Sequence, residues 1–394
     1  MGEPANIDDL RLKARRHMPR MFFDYLDGGA LSEATMRRNR SALEAVLLRQ
    51  KVLVEVGVPD LSTRILGEDW AMPVALGPVG FAGLFRAAGE RAAARAARAA
   101  GLTFCLSNFG IHGAADVAGA AGVAPWLQIY LFRDAQIGAQ MLRLARAAGV
   151  GTLIVTVDGA APGIRERDTR NGFRFVDHVT LTQMADMAMR PRWLVERALA
   201  GLPQLGTIAA LDVPGAPGGV IAQAAWFTAR FDPAITAAKL RALRADWPGR
   251  LVVKGVMAPD DARLAADCGA DAVVVSNHGG RQLDGTCATI EALPPVAAAL
   301  AGWDGALLVD GGIRRGTDVL RALALGADGV LLGRAWAYGL AAAGARGVTQ
   351  ALALIRDELL VAMALCGLRD MAQLRADPRA VLLHPPGREE GGPA

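Results

Sequence analysis

The sequence predicts an α/β fold, a (β/α)8 TIM barrel with an N-terminal helical cap and a long insertion after its fourth strand. Eight short apolar runs alternate with longer stretches rich in alanine, leucine and arginine, which are typical of helices. The runs are apolar on both faces, as expected of parallel strands covered by helices. They are MPVALGP (72–78), LTFCLS (102–107), PWLQIYL (125–131), GTLIVTVD (151–158), RLVVKGV (250–256), DAVVVSN (271–277), GALLVDGG (305–312) and GVLLGR (329–334).

The main alternative is a doubly wound parallel sheet. Such folds often carry G-x-G-x-x-G after the first strand or a G-x-x-x-x-G-K-S/T phosphate loop, and we find neither pattern here. Polar side chains instead follow most of the eight runs, at the rim where barrel active sites are built. We therefore assign residues 1–394 to a single domain with its barrel at about 72–366.

Three regions lie outside the strand–helix repeat. The first seventy residues precede the first barrel strand and indicate the helical cap. Residues from about 170 to 231 contain no clean strand–helix unit, and loops of that length are usually functional or mobile. A further helix is expected at about 347–366, followed by a tail rich in proline and glycine.

Charge and cysteine content exclude several function classes. The net charge is only +4 and is spread along the chain, which argues against nucleic-acid binding. The four cysteines lie far apart and lack metal-ligand spacing, so we expect reduced thiols, no metal and a cytoplasmic protein. The N-terminus has no apolar signal-peptide core, and no run approaches the ~20 apolar residues of a membrane-spanning helix.

The densest polar motif is SNHGGRQLDG (276–285), at the end of the sixth run. His278 suits general-base work because the pKa of histidine lies near working pH. Arg281 offers a planar fork for a carboxylate, and the two intervening glycines allow a tight turn. Asp158, at the end of TVDG, is either the partner that orients the imidazole or a helix N-cap.

Two further patterns suggest a phosphate-bearing ligand. DGGIRRGTDVLRALALGADGVLLGR (310–334) contains the loops after strands seven and eight, the usual phosphate site of a barrel. Arg314 and the amides of Gly333 and Arg334 are its natural ligands. Lys254 ends an apolar strand, where a charge is costly unless it is used. It could form a Schiff base, bind phosphate or hold negative charge on a reduced ring.

Together with LQIYLFR, FFDYLDGGA and the lysine of VVKGV, these motifs resemble the FMN-dependent 2-hydroxy-acid oxidase and dehydrogenase family. The resemblance covers roughly residues 7 to 370. It is greatest to the bacterial membrane-associated (S)-mandelate dehydrogenases and quinone-linked L-lactate dehydrogenases. RPRWLVERALAGLPQL (190–205), inside the insertion, also resembles the mandelate enzyme.

The resemblance implies a role for each matching residue. His278 would be the base and Asp158 its partner. Arg281, Arg165 and Tyr25 would bind the substrate carboxylate, and Tyr130 the reacting oxygen. Lys254 would lie near flavin N1, which removes the Schiff-base option. The remaining FMN contacts would come from Pro78, Val79, Gly80, Ser107, Gln128, Thr156, Ser276, Asp310, Gly311, Gly312, Arg314, Gly333 and Arg334.

The expected activity is oxidation of an L-2-hydroxy acid of lactate or mandelate type to the 2-keto acid, with electrons passed to a quinone. GPVG replaces the proline–threonine–alanine common in the oxidases, and its Gly80 matches the dehydrogenases. SNFGIHG (107–113) lacks a tryptophan of the plant glycolate oxidases, so the side-chain preference stays open. The alternatives are an oxidase using oxygen, an enzyme acting on a larger peptide-derived substrate in cofactor maturation, and a non-catalytic scaffold.

The composition of the insertion suggests that the enzyme passes its electrons to an acceptor at a membrane. It mixes methionine and tryptophan with arginine, as membrane-interface segments do, and it is too broken by proline and glycine to span a bilayer. We expect a membrane-surface element that is not a structural part of the barrel, with a mobile lid or an oligomer contact as the alternative. The protein would then lie on the inner face of the cell membrane, as a homotetramer.

Overall fold

The computed structural model describes residues 2–173, 180–211 and 215–383. The remaining residues of the predicted domain and insertion lie outside this range. The chain begins with the predicted helical cap, formed by α1 (Ile7–His17), α2 (Arg20–Asp27) and α3 (Ala34–Ala45). An antiparallel hairpin that the sequence analysis missed follows as β1 (Thr63–Ile65) and β2 (Glu68–Trp70).

The hairpin closes the N-terminal end of the barrel. Ile65 and Trp70 are buried with the side chains that fill the barrel interior. The Glu68 carboxylate accepts hydrogen bonds from Trp126 Nε1 and from Thr103 Oγ1, both at 2.8 Å. With this end closed, the opposite rim is left for the site.

Eight parallel strands form the barrel, and each coincides with a predicted run. Their order is β3-β10-β9-β8-β7-β6-β5-β4, and a parallel bridge between Leu76 and Phe104 joins the first strand to the last. The predicted TIM barrel is therefore confirmed. The strands are β3 (Val74–Leu76), β4 (Cys105–Ser107), β5 (Trp126–Ile129), β6 (Thr152–Thr156), β7 (Arg250–Val256), β8 (Ala272–Val275), β9 (Ala306–Val309) and β10 (Gly329–Leu332).

Helices cover the outside of the barrel. The predicted helix at 347–366 is the second half of a long helix that is interrupted by non-helical backbone at Ala343 and Gly344. The remaining helices are α4 (Ala82–Phe85), α5 (Gly89–Ala99), α6 (Ala114–Ala121), α7 (Ala135–Ala147), α8 (Glu166–Arg170), α9 (Leu181–Ala188), α10 (Pro191–Ala200), α11 (Gly206–Ala210), α12 (Val220–Thr228), α13 (Ala237–Asp246), α14 (Pro259–Asp267), α15 (Thr289–Ala299), α16 (Gly316–Ala324), α17 (Arg334–Leu365) and α18 (Met371–Ala376), with a 3-10 turn at Pro378–Val381.

The insertion contains α9 to α12, and it packs on the barrel. Trp193 of α10 is buried and donates from its indole Nε1 to the Leu84 carbonyl at 2.8 Å. Phe227 of α12 is fully buried and its ring meets those of Phe109 and Phe132. The expectation that this segment is not a structural part of the barrel is therefore wrong, because apolar side chains of α10 and α12 are part of the core.

Candidate active site

A cavity of about 630 Å³ lies at the C-terminal ends of the strands. All the predicted site residues line it except Asp158 and Ser276, and those two contact residues that do. The lining residues among them are Tyr25, Pro78, Val79, Gly80, Ser107, Gln128, Tyr130, Thr156, Arg165, Lys254, His278, Arg281, Asp310, Gly311, Gly312, Arg314, Gly333 and Arg334.

His278 and Asp158 form a close pair between the ends of β6 and β8. The imidazole Nδ1 lies 3.0 and 3.1 Å from the two carboxylate oxygens. Burial alone would raise the pKa of Asp158, but the charges of His278 and Lys254 outweigh it and lower the pKa below its ordinary value. The carboxylate therefore stays ionised, fixes the ring and leaves Nε2 as the nitrogen available for proton transfer.

The turn that carries His278 is held in an unusual backbone conformation. His278 has a φ of 57°, and the next two residues, Gly279 and Gly280, also have positive φ. A Cβ atom at Gly280 would lie 2.6 Å from the Met36 backbone nitrogen, so only glycine lets this turn sit against α3. Non-glycine residues with positive φ concentrate at functional sites, which agrees with a role for His278.

Two arginines flank the ring of Tyr25. The guanidinium carbons of Arg281 and Arg165 lie 4.7 and 5.5 Å from the ring centroid. Arg281 donates from Nη1 to the carbonyls of Tyr25 and Gly28, and Arg165 donates from Nε to Asp168 at 2.8 Å. Burial, and then the neighbouring Arg165, lower the pKa of Arg281. A pair of half-buried cations in this arrangement favours an anionic group such as a carboxylate.

Tyr130 lies under the insertion. Its ring stacks on Phe231 with centroids 4.4 Å apart, and Phe231 directly follows the segment that contains α12. Burial, then the charge of Asp158, raise the pKa of Tyr130. Its hydroxyl is therefore protonated and is a hydrogen-bond donor to any oxygen bound beside it.

Lys254 is buried among polar partners. Its Nζ donates to Ser276 Oγ at 2.8 Å and lies 2.9 Å from Asp310 Oδ2. Burial alone would lower the pKa of Lys254, but Asp310 and then Asp158 raise it, so the ammonium is retained. The second carboxylate oxygen of Asp310 is buried and has no hydrogen-bond partner among the described residues. Such an acceptor matches a ligand hydroxyl, and the cation beside it matches negative charge on a ring.

A ladder of hydrogen bonds joins β4, β5 and β6 at the floor of the cavity. Ser107 Oγ donates to Gln128 Oε1 at 3.0 Å, and Gln128 Nε2 donates to Thr156 Oγ1 at 3.0 Å. All three residues are buried. All three line the cavity, and the prediction that they contact the isoalloxazine or ribityl chain stays a prediction.

The part of the cavity in which the sequence predicts a phosphate lies where α17 begins. Gly333 is the N-cap of that helix, and Arg314 lies near it with its guanidinium over the ring of Tyr338. Helix N-termini bind phosphate through their free amides. The guanidinium of Arg334 donates three of its five N–H groups to the carbonyls of Leu26, Gly28 and Gly279, and the Arg334 amide lies in the first turn of α17.

The sequence analysis missed several residues at the site. Gln282 donates from Nε2 to the Asp158 carbonyl at 2.7 Å and accepts from the Gly163 amide at 2.8 Å. It lies inside the SNHGGRQLDG motif, which could have indicated it. Asp168 lies three residues after Arg165, and side chains at this spacing on a helix can pair, so the sequence could have indicated it. Phe231 had no such signal, because the insertion folds over the site through long-range contacts.

Comparison with known proteins places the chain in a family. Residues 14–380 match the family of FMN-dependent dehydrogenases. An L-lactate dehydrogenase of Caulobacter vibrioides is 47% identical over 371 residues, covering 94% of this chain and 96% of that protein. One of Xanthomonas euvesicatoria pv. vesicatoria is 46% identical over 370 residues, covering 94% of each chain.

Solved structures agree with this placement. The monotopic membrane protein (S)-mandelate dehydrogenase superposes with a TM-score of 0.89 at 35% identity, over 97% of this chain and 99% of the other. A mandelate oxidase with (S)-4-hydroxymandelic acid superposes with a TM-score of 0.81 at 37% identity, over 94% and 98%.

Proposed function

The chain belongs to the FMN-dependent dehydrogenases, and we propose that it oxidises an L-2-hydroxy acid of lactate or mandelate type to the 2-keto acid and passes the electrons to a membrane quinone. FMN is its cofactor, and the residues present fit it. The unpartnered Asp310 oxygen, the Lys254 ammonium and the helix N-terminus at Gly333 suit a ribityl hydroxyl, a reduced ring and a phosphate respectively.

The observation that carries the proposal is that His278, paired with Asp158, lines the same cavity as Arg281 and Arg165. A 2-hydroxy acid has a group for each pair. Its carboxylate can bind to the two arginines, and the imidazole can accept a proton from it. When bound, FMN supplies the two-electron acceptor that no side chain provides. The side chains then have to position the substrate and to accept its proton.

Different side chains position the substrate and accept its proton. The arginines hold the carboxylate and thereby fix the carbinol group, which is the proximity contribution. His278 takes up a proton from the substrate at Nε2, and the Asp158 carboxylate stabilises the imidazolium that forms. Tyr130 donates to the reacting oxygen, and the ring of Phe231 above it excludes water.

The insertion supports the membrane acceptor. Seven apolar side chains of α9, α10 and the turn after them are exposed, and we call this set the apolar ridge. Seven exposed apolar side chains within 22 residues of sequence suggest an interaction surface. The ridge consists of Leu181, Met184, Met189, Leu194, Val195, Leu199 and Leu202.

We propose that the apolar ridge enters the surface of a bilayer. No helix among the described residues has the length and hydropathy needed to cross one. Arg192 is exposed beside the ridge, where it would face lipid phosphates. Trp193, which the sequence analysis assigned to the lipid interface, is buried against the barrel, and Trp226 packs under the guanidinium of Arg230. The aliphatic side chains therefore carry the contact.

Anaerobic titration of the holoenzyme with L-2-hydroxy acids tests the reaction. Lactate or mandelate should bleach the flavin absorbance, and their D-enantiomers should not. A flavin that no small acid bleaches would favour the larger peptide-derived substrate. Reoxidation then tests the acceptor: a short-chain ubiquinone should restore the absorbance much faster than dissolved oxygen, whereas the reverse order would identify an oxidase, the activity named for the mandelate oxidase neighbours.

A further inference from the structure

A second cavity lies behind the active site, between the barrel and the insertion. Its volume is about 310 Å³, and no residue lines both cavities. One wall comes from α5 and the loop after β4, and the other from α10, α11 and the turn that joins them. Two backbones pack tightly there, because a Cβ atom at Gly206 would lie 2.2 Å from the Gly113 nitrogen.

A buried carboxylate–imidazole pair forms part of this cavity. Glu90 is fully buried, and its Oε2 lies 2.6 Å from His112 Nδ1. Its other oxygen accepts the amides of Gly83 and Ile111 at 3.0 and 2.9 Å. Because Glu90 holds Nδ1, the ring nitrogen left for the cavity is Nε2. The arrangement repeats that of Asp158 and His278, yet the oxidation of the hydroxy acid does not use it.

The other polar groups of the cavity are mostly hydrogen-bond donors. Arg197 donates from Nη1 to the Gly83 carbonyl at 2.9 Å, while its buried Nε has no hydrogen-bond partner in the described part of the chain. Arg91 and the side chain of Gln204 also line the space. A ligand for this cavity therefore needs acceptor oxygens.

Charge favours a neutral ligand over an anion. Arg91 is paired with Asp116 at 3.5 Å, and the charges of Glu90 and Glu196 act on Arg197. Each guanidinium thus already has a carboxylate near it. The remaining walls are apolar, with Ile111 and several alanines. A flat, neutral ring that bears carbonyl oxygens matches both properties.

The cavity lies between the flavin site and the apolar ridge. Gly80 lines the first cavity and Gly83, which Arg197 contacts at the second, follows three residues later, so their Cα atoms are at most ~11 Å apart. On the other side, Leu202 lines the second cavity, is 94% exposed and belongs to the ridge. A molecule dissolved in the bilayer would reach this cavity without crossing water.

We infer that the second cavity binds the ring of the acceptor quinone, with one carbonyl at His112 Nε2 and Arg197. This inference rests on the proposed function, which supplies the electrons. A quinone becomes a quinol when it gains two electrons from the reduced enzyme and one proton at each carbonyl oxygen. The His112 imidazolium, stabilised by Glu90, supplies one of these protons, and water at the mouth of the cavity supplies the other.

Filling the cavity tests the inference. Ala209 of α11 is exposed and lines the cavity, whereas its exposed neighbour Ala210 does not, so Ala209→Trp and Ala210→Trp form a matched pair. Ala200→Trp fills the same space from α10, in case the first variant folds poorly. The probe is 2,3-dimethoxy-5-methyl-1,4-benzoquinone. Its binding to oxidised holoenzyme is measured by calorimetry, and its reaction by stopped flow after photochemical reduction of the flavin.

We expect Ala209→Trp and Ala200→Trp to raise the Kd for the quinone at least tenfold and to slow reoxidation equally, while Ala210→Trp changes neither. His112→Gln should keep the Kd within about threefold and slow reoxidation at least tenfold. If Ala209→Trp and Ala200→Trp both bind and reduce the quinone as wild type does, the inference is overturned. The proposal that a quinone is the acceptor is then unaffected. If the wild-type enzyme neither binds nor reduces the quinone, the proposal that a quinone is the acceptor is overturned as well. Photochemical reduction keeps both outcomes independent of the hydroxy-acid substrate.

Discussion

The imidazole Nδ1 of His278 lies within 3.1 Å of both carboxylate oxygens of Asp158, although 120 residues separate the two in sequence. Strands β6 and β8, which end shortly before these residues, are separated by β7 alone, so the barrel brings their C-terminal loops together. The positive φ of His278 then turns its side chain toward Asp158. The central relationship of the site therefore depends on closure of the barrel.

Arg314 is expected to bind the FMN phosphate. Arg314→Ala should weaken FMN binding about 10- to 100-fold, because a hydrogen bond to a charged group contributes ~1.5–3 kcal/mol. Arg315→Ala is the matched control, since its guanidinium pairs with Glu358 and does not line the cavity. Fluorescence titration of the apoprotein with FMN measures both. Equal affinities in the two variants would remove Arg314 from the phosphate site.

Arg281 is expected to clamp the substrate carboxylate. Arg281→Lys should lower kcat/KM about 10- to 100-fold, because an ammonium cannot supply the planar fork of a guanidinium. FMN affinity should not change, and this serves as the control for folding. Steady-state kinetics with the best acid of the panel measures the effect. A variant with wild-type kcat and KM would show that the carboxylate binds elsewhere.

Much of this arrangement was predictable from sequence, and the reasons are local. Runs such as LIVTV and AVVV are apolar on both faces, so they had to be covered strands, and the polar residues that end them had to meet at one rim. His278 and Arg281 also lie in a motif with its own glycine turn. No long-range knowledge was needed to assign them to a site.

The features that were missed depend on contacts between distant segments. The hairpin of β1 and β2 has strands of only three residues, too short for a period-2 pattern. Phe231 and Trp193 appeared to belong to an irregular surface segment, and only the fold shows that they pack on the barrel. Glu90 and His112 are 22 residues apart in unrelated elements, so their pairing left no signal in the sequence.

Asp27 is expected to make stability depend on pH. Burial alone would raise its pKa, but hydrogen bonds from Arg11, Tyr338 and Arg167 outweigh burial and lower the pKa well below 3.8. A carboxylate with a lowered folded-state pKa stabilises the protein above its unfolded pKa, and this contribution is lost as pH falls. The free energy of unfolding should therefore decrease below about pH 4.

Asp27→Asn should cost about 3 kcal/mol at pH 7 and flatten this acid dependence, because it removes the buried carboxylate that Arg11, Arg167 and Tyr338 share. Asp69→Asn is the control, since Asp69 is exposed and forms an ion pair with exposed Arg64 at 3.5 Å. Urea unfolding across pH 3–7 measures both variants. An Asp27→Asn curve parallel to that of wild type would contradict the assignment.

The apolar ridge is expected to hold the protein on membranes. Leu181→Glu with Leu199→Glu should reduce binding to anionic phospholipid vesicles at least tenfold at low salt, because two exposed leucines no longer enter the interface. Flavin reduction by substrate should be unchanged, since neither residue lines the active-site cavity or the second cavity. Val123→Glu with Leu264→Glu, two exposed apolar residues outside the ridge, should sediment with vesicles as wild type does. Equal sedimentation of both double variants would leave the insertion as a cover for the active site alone.

The most direct test of the account is the anaerobic rate at which substrate bleaches the flavin in His278→Ala. The variant should bind FMN normally, because its imidazole faces Asp158 and the substrate. Bleaching should slow by ~10²- to 10⁴-fold, the usual cost of losing a general base. His112→Ala, which removes the second imidazole, should bleach at the wild-type rate. A His278→Ala enzyme that bleaches as fast as wild type would contradict the account, because the proton would then leave the substrate by another route.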